Sequence, residues 1–141
     1  MDSHAQMTGL KDMRTRISTL WIFAVLNYLY ADVMTLLDPE GLEIILSGSV
    51  GSVEISQGLL FAAALLMETA IVMVLLSRLL RYRANRILNL IIGTVHTLAV
   101  ALSMFIEGPP APYYILFGSI EIATTVLIVV FAARWKAPEQ A

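Results

Sequence analysis

The stretch Leu59–Leu80, LLFAAALLMETAIVMVLLSRLL, decides the fold because it is long and apolar enough to cross a membrane. An α-helix rises 1.5 Å per residue, so about 20 apolar residues span the ~30 Å hydrocarbon core of a bilayer. The stretch carries one acid, Glu68, near its middle and one base, Arg78, near its end. A charged side chain at the bilayer centre costs roughly 2.5–3.5 kcal/mol. We therefore expect Glu68 to be turned inward, paired or protonated, with the other helices deciding what it meets.

The composition of the whole chain agrees with a membrane protein. Of its 141 residues, 58% are hydrophobic and 14% are charged, and the mean hydropathy is +0.79. One small domain cannot bury that much apolar surface in a core of its own. The chain has no cysteine, which excludes disulfides, thiolate metal sites and thiol redox chemistry. The basic residues form short clusters rather than a continuous patch, so we expect no nucleic-acid partner.

Hydrophobic periodicity predicts an all-α protein, a single transmembrane four-helix bundle formed by residues 17–136. An amino tail at 1–16 precedes it, and a carboxyl tail at 137–141 follows. The four spans cover about 17–37, 57–78, 87–106 and 113–133.

The connection between the first two spans and the connection between the last two spans both carry local structural signals. After Asp38-Pro39, the residues Leu42, Ile45 and Leu46 fall on one face, which predicts a short helix on the membrane surface. The segment 47–58, SGSVGSVEISQG, is rich in glycine and predicts a turn. Prolines in the segment 108–112 predict a rigid turn between the last two spans.

The distribution of charge predicts the orientation in the membrane. All nine Lys and Arg residues lie in the amino tail, in the connection 78–86 or after the fourth span. The other two connections contain acids and no Lys or Arg. By the positive-inside rule, both termini should be cytoplasmic. We therefore expect a multi-pass protein of the cell inner (plasma) membrane.

Polar residues at helical spacing predict a site within the bundle. Glu68, His96 and Asn27 should lie about 13–15 Å from the basic end of the spans, near the bilayer midplane, at 1.5 Å per residue. Asp32 and Glu121 should lie further out, at roughly 20 Å. Since lipid-facing acids would oppose insertion, we expect these groups to converge. The predicted ligand-binding residues are Asp32, Glu68, His96, Glu121, Tyr28 and Asn27.

These residues leave the kind of activity open. A pocket of this type can bind a small hydrophobic or amphiphilic ligand, with membrane lipid around it. The same carboxylates and histidine suit a proton-coupled transporter, for which so short a chain would form a homodimer. They also suit an acid–base enzyme on a lipid-soluble substrate, with Glu68, His96 and Glu121 as catalytic candidates. A purely structural role is a further alternative. We expect no metal or other cofactor, because the Glu-x-x-His pairs of bundle di-metal sites are absent.

Three long runs resemble a bacterial family of small four-helix integral membrane proteins of unknown function. They are RISTLWIFAVLNYLYADVMTLLDP, SVGSVEISQGLLFAAALLMETAIVMVLLSRLLRYRANRILNLIIGT and YYILFGSIEIATTVLIVVFAARWKAP. This resemblance implies the four-helix topology and no activity. The layout of Asp32, Glu68 and His96 is also similar to that of the sterol-isomerase and sigma-2-receptor-like superfamily. That second resemblance implies a pocket for amphiphilic amines or sterols.

Overall fold

A computed structural model describes residues 2–106 and 110–136, with side chains from residue 12 onward. Four described helices are long and apolar enough to cross a membrane, which confirms the all-α fold with four spans. The chain forms, in order, α1 (Asp2–Leu37), α2 (Pro39–Leu46), β1 (Ser49–Val50), β2 (Val53–Glu54), α3 (Gln57–Leu79), α4 (Tyr82–Ser103) and α5 (Pro112–Arg134).

The helix bounds differ from the predicted spans mainly at the basic end of the bundle, where α3 meets α4. Helix α1 continues through most of the predicted amino tail, and its apolar part runs over Asp12–Leu37. Helix α4 begins at Tyr82, because only Leu80 and Arg81 have the extended backbone of the connection. The predicted carboxyl tail and residues 107–109 of the proline-rich turn lie outside the described residues.

Helix α1 is the centre of the bundle. It packs against α3 and α5, and α5 packs against α4, whereas the contact between α3 and α4 is smaller. Ile17, Trp21, Ala24 and Tyr28, spaced three or four residues apart along α1, are buried in the core. Gly93 lets α4 and α5 approach closely, since an added Cβ there would lie 2.8 Å from Val129 Cγ2.

The acidic end of the bundle, opposite the basic end, carries α2 and a short hairpin. Asp38 precedes α2 and Pro39 occupies its first turn, where proline is well tolerated. No described residue of α2 is buried, which agrees with the predicted surface helix. The glycine-rich turn is a two-stranded antiparallel hairpin, in which Gly48 and Gly51 have φ of +79° and +57°.

At the basic end, hydrogen bonds from Arg86 and packing of Tyr82 on Trp135 join α4 to the end of α5. Arg86 Nε donates to Ala132 O at 3.0 Å, and a terminal nitrogen of Arg86 donates to Ala133 O at the same distance. These carbonyls belong to the last turn of α5, where helical carbonyls lack partners within the helix. Tyr82 Oη donates to Trp135 O at 2.7 Å, and the two rings pack edge to face. The start of α4 therefore caps the end of α5.

Candidate functional site

A cavity of about 220 Å³ lies within the bundle, and we call it the deep chamber. All four long helices contribute to its wall, so the site depends on the complete bundle. Helix α1 brings a tyrosine and an acid, α4 a histidine, and α5 a second acid. The described lining comprises Tyr28, Ala31, Asp32, Leu66, Met67, His96, Ala99, Val100, Ser103, Tyr114, Gly118 and Glu121.

His96 is held in a fixed orientation at the wall of the deep chamber. Its Nε2 lies 3.0 Å from Thr69 Oγ1, and the Thr69 hydroxyl also lies 2.6 Å from Leu66 O. A hydroxyl has one proton to donate, and the Leu66 carbonyl can only accept. We therefore assign the proton of neutral His96 to Nε2, which donates to Thr69 and leaves Nδ1 as the acceptor. The imidazole also packs edge to face on Trp21 and stacks on Tyr28, with ring centroids 5.5 and 5.6 Å away.

Two buried polar atoms of the deep chamber lack a partner. Tyr28 Oη and Glu121 Oε1 have no hydrogen-bond partner among the described residues. The side chains themselves are only 6% and 5% exposed. A buried polar atom without a hydrogen bond costs about 1–3 kcal/mol, so such atoms usually meet water or a ligand. Both residues line the deep chamber, so a polar molecule in that cavity can reach their oxygens.

A second, larger cavity of about 570 Å³ lies above the deep chamber, and we call it the outer chamber. It is covered by α2 and the hairpin at the acidic end of the bundle. Tyr113 Oη donates to Asp38 Oδ2 at 3.2 Å, which ties the start of α5 to the start of α2. The described lining comprises Asp32, Thr35, Asp38, Glu40, Gly41, Ile44, Ile45, Val50, Ser103, Met104, Pro110, Ala111, Tyr113 and Tyr114.

Asp32, Ser103 and Tyr114 line both chambers and form the neck between them. Tyr114 Oη donates to Ser103 Oγ at 2.9 Å, and Ser103 in turn donates to Val100 O at 2.8 Å. Asp32 is exposed, in contrast to the buried Glu121. It is near enough to Glu121 for the two negative charges to repel each other. The two acids together favour a positive or proton-donating group between them.

The basic end below the deep chamber is closed by a buried polar network. Trp21 Nε1 donates to Asn89 Oδ1 at 2.7 Å, across α1 and α4. Asn89 Nδ2 donates to Asn85 Oδ1 at 2.6 Å, and Asn85 Nδ2 donates to Ser77 O at 2.6 Å. All four side chains are fully buried. The network fixes three helices to one another, and its side chains fill the space toward the basic end.

The structure brings together four of the six predicted site residues. Tyr28, Asp32, His96 and Glu121 all line the deep chamber. Asn27 does not belong to the described lining of either chamber, and its Nδ2 donates to Phe23 O of its own helix at 2.8 Å. Successive residues of a helix are about 100° apart, so Tyr28 faces the chamber and its neighbour does not.

The predicted inward position of Glu68 is wrong for the single chain. Glu68 is exposed on the outer surface of α3 and lies outside the described lining of both chambers. The helix turns Ala70, Met73 and Ser77 into the bundle instead. Thr69 occupies the place beside His96 that the sequence had assigned to the acid. The small side chains of Ala70 and Ser77 let α3 lie close to α1. This packing turns their side of α3 into the bundle and leaves Glu68 on the opposite side.

The site contains residues that the sequence prediction did not include. Thr69, Ser103 and Tyr114 orient His96 or form the neck. Ser103 shares a helical stripe with His96, and Tyr114 shares one with Glu121, so spacing alone could have included them. Nothing in the local sequence distinguishes Thr69. Within the described residues, no group of three or more His, Asp or Glu side chains is placed to hold a metal ion.

The fold and the two chambers define a small multi-pass helical membrane protein with cavities lined by both polar and apolar residues. The chain belongs to the family of unknown function DUF6326, whose model matches residues 8–141. Comparisons with curated proteins and with solved structures gave no match. The expected membership of a family of unknown function is therefore confirmed, and the family brings no activity with it.

Proposed function

We propose that this protein binds a small amphiphilic molecule in its two chambers, with the polar end of the ligand in the deep chamber. The observation that carries the proposal is the pair of unpartnered buried atoms, Tyr28 Oη and Glu121 Oε1. A ligand with hydrogen-bond donors would satisfy both oxygens, because each can accept a hydrogen bond. The outer chamber has the volume of a typical small-molecule pocket, roughly 300–1,000 Å³.

The charge of the chambers favours a ligand with an amine. The acids of the described lining are Asp32 and Glu121 at the neck and deep chamber, and Asp38 and Glu40 further out. Neither described lining includes a Lys or Arg. An ammonium group between Asp32 and Glu121 would form charge-assisted hydrogen bonds, which are about twice as strong as neutral ones. The apolar part of the ligand would lie in the outer chamber against residues such as Ile45.

The likeness in layout to the sterol-isomerase and sigma-2-receptor-like superfamily is consistent with this ligand class. It now depends on Asp32 and His96, since Glu68 departs from the pattern by facing outward. The orientation expected from the basic residues would open the outer chamber away from the cytoplasm. The proposal includes a location in the inner (plasma) membrane with both termini in the cytoplasm, which the positive-inside rule favours.

The test uses purified protein in nanodiscs and octylamine as the probe, with octanol and octanoate as controls of equal chain length. Octylamine at ten times its Kd should stabilise the folded state by about 1.4 kcal/mol, seen as a rise in Tm. Glu121→Gln should remove most of that rise. Glu54→Gln is the matched control, because Glu54 is exposed in the hairpin outside the described linings.

Two results would oppose the proposal. One is an equal rise in Tm with octylamine and octanol, which would indicate partition into lipid rather than a site. The other is an unchanged response in Glu121→Gln. The rise in Tm would then not depend on Glu121, the acid that the proposal requires for binding of the amine.

An acid–base reaction on such a ligand is a second candidate, favoured by His96 and Glu121 lining one chamber. They lie on different helices, α4 and α5, so a substrate between them could lose a proton to one and gain one from the other. His96→Gln should abolish turnover of a lipid-soluble substrate and leave octylamine binding intact. Loss of binding in this variant would favour a binding role for the imidazole.

Proton-coupled transport has less support. A transported molecule has to leave through the basic end, where Trp21 and Asn89 are fully buried and bonded to each other. A liposome flux assay with a pH gradient would test it. Flux that follows the gradient and is lost in Asp32→Asn would replace the binding proposal.

A further inference from the structure

Glu68 is placed where an acid is hardest to accommodate. It lies 11 residues from the first residue of α3, Gln57, and 11 residues from the last, Leu79. At 1.5 Å per residue it is therefore about 16 Å from each end, at the centre of the span. Its side chain is exposed on the single chain. An ionised carboxylate at this depth needs a partner that lipid cannot supply.

The surface around Glu68 is the least covered face of the bundle. The outer face of α3 consists of Phe61, Leu65, Glu68, Val72, Leu75 and Leu79, which follow one another at steps of three and four residues. Phe61 is 66% exposed and Leu75 is 62% exposed. Only 11% of the apolar window of α3 is buried, against 33% for α5. One side of α3 contacts the bundle and the other remains open.

Glu68 lacks a cationic partner on its own face of the described chain. The Lys and Arg residues of the chain all lie in its tails or near the basic end, so none reaches the middle of α3. His96 and Glu121, the buried ionisable groups nearest the middle of the bundle, face the deep chamber. Among the described residues, no cation is therefore available to pair with Glu68 on its own face.

We infer that the outer face of α3 is a homodimer interface centred on Glu68. Two copies inserted in the same orientation are related by a two-fold axis along the membrane normal, which places every residue level with its own copy. Glu68 then meets the same residue of the second copy at the same depth. A carboxyl group of one copy can donate its proton to the carboxylate of the other, so that the pair carries one negative charge instead of two.

Apolar side chains form the rest of this contact. Phe61 and Leu65 lie on the acidic side of Glu68, and Val72 and Leu75 lie on the basic side. Side chains at this spacing pack into the grooves of a parallel helix. The interface does not depend on the proposed ligand, because Glu68 lies outside the described lining of both chambers.

The absence of cysteine from the sequence makes a direct test possible. Single cysteines are introduced at Phe61, Leu65 and Val72, and the variants are reconstituted in liposomes at high lipid dilution. Oxidation with copper phenanthroline should link these variants into covalent dimers. Ile115→Cys and Leu127→Cys are the controls, since both positions are similarly exposed on α5. They should remain monomeric.

The role of Glu68 is tested in the cross-linkable Leu65→Cys background. Glu68→Leu removes a charge from the middle of a span, so insertion and folding are favoured rather than threatened. We expect the dimer association constant to fall about 3- to 20-fold, the change that corresponds to ~0.6–1.7 kcal/mol for an interhelical hydrogen bond. Glu68→Gln keeps hydrogen-bonding groups at the same place and should retain most of the dimer.

Any of three results would overturn the inference. Cross-linking on α5 equal to that on α3 would indicate random collision. An association constant unchanged by Glu68→Leu would show that the acid does not hold the copies together. A monomer at every dilution, with Glu68 accessible to a water-soluble carbodiimide, would mean that water or headgroups reach the acid instead.

Discussion

The buried network at the basic end provides the sharpest test of how the bundle is held together. Asn89 is fully buried, and its Oδ1 accepts from Trp21 Nε1 at 2.7 Å and from Ser77 Oγ at 3.4 Å. Its Nδ2 donates to Asn85 Oδ1 at 2.6 Å. Asn89→Leu preserves volume and apolar packing but leaves the indole N–H of Trp21 without an acceptor.

The expected loss follows from two buried atoms that would lack a partner, the Trp21 indole N–H and Asn85 Oδ1. A buried polar atom without a partner costs about 1–3 kcal/mol, whereas an average interhelical hydrogen bond in a membrane contributes only ~0.6 kcal/mol. Trp21 and Asn85 are both 0% exposed, so water cannot replace Asn89. We expect Asn89→Leu to lower the free energy of unfolding by about 2–3 kcal/mol, the upper part of that range. The longer bond to Ser77 adds little.

Unfolding by sodium dodecyl sulfate in mixed micelles, followed by tryptophan fluorescence and circular dichroism, measures this loss. Asn27→Leu is the matched control, because the Asn27 amide donates only to Phe23 O within α1. That change should cost about 0.6 kcal/mol or less. A double-mutant cycle with Trp21→Phe should give a coupling near 1 kcal/mol. Equal losses at both asparagines, or no coupling with Trp21, would refute the reasoning.

Three further substitutions test other parts of the structure by the same unfolding measurement. Gly93→Ala should lower the free energy of unfolding by about 1–3 kcal/mol, because the added methyl group overpacks the contact between α4 and α5. Gly58→Ala is the control and should leave it nearly unchanged, since the nearest atom to an added Cβ there is 3.8 Å away. Arg86→Met should lower it by about 1–2 kcal/mol, because two carbonyls of α5 lose a charged donor; Arg83→Met, at an exposed position, is the control. Tyr28→Phe removes an unpartnered hydroxyl, so it should leave the free energy of unfolding unchanged or raise it by up to about 1 kcal/mol. The same substitution should weaken octylamine binding. A loss of more than ~1 kcal/mol in Tyr28→Phe would mean that the hydroxyl has a partner in the folded protein.

The two mid-membrane glutamates show how far sequence reasoning reaches. Periodicity placed each acid on a stripe of its helix, and both stripes exist in the structure. Glu121 faces the deep chamber, whereas Glu68 faces outward. The cost of an acid in lipid applies equally to both, but it can be relieved by a neighbouring chain as well as by the same chain. Periodicity defines a face, and only packing against α1 decides which face turns inward.

The same limit applies to the other parts of the site. Spans of apolar residues, a proline after Asp38 and the clustering of Lys and Arg are local signals, and they predicted the helices well. The contact between Thr69 and His96 joins residues far apart in the sequence. The neck likewise combines distant residues, since Asp32, Ser103 and Tyr114 line both chambers. These contacts arise from the order in which helices pack, which a single sequence does not encode locally.

The two ends of α2 are held differently beside the outer chamber. Near its start, Gly41 is so close to α1 that an added Cβ would lie 2.9 Å from Thr35 O. Asp38, just before the helix, accepts a hydrogen bond from Tyr113. At the far end Leu46 is 77% exposed. The start of α2 is thus fixed by contacts with α1 and α5, so local opening of this helix should require less free energy at its last turn than at its start.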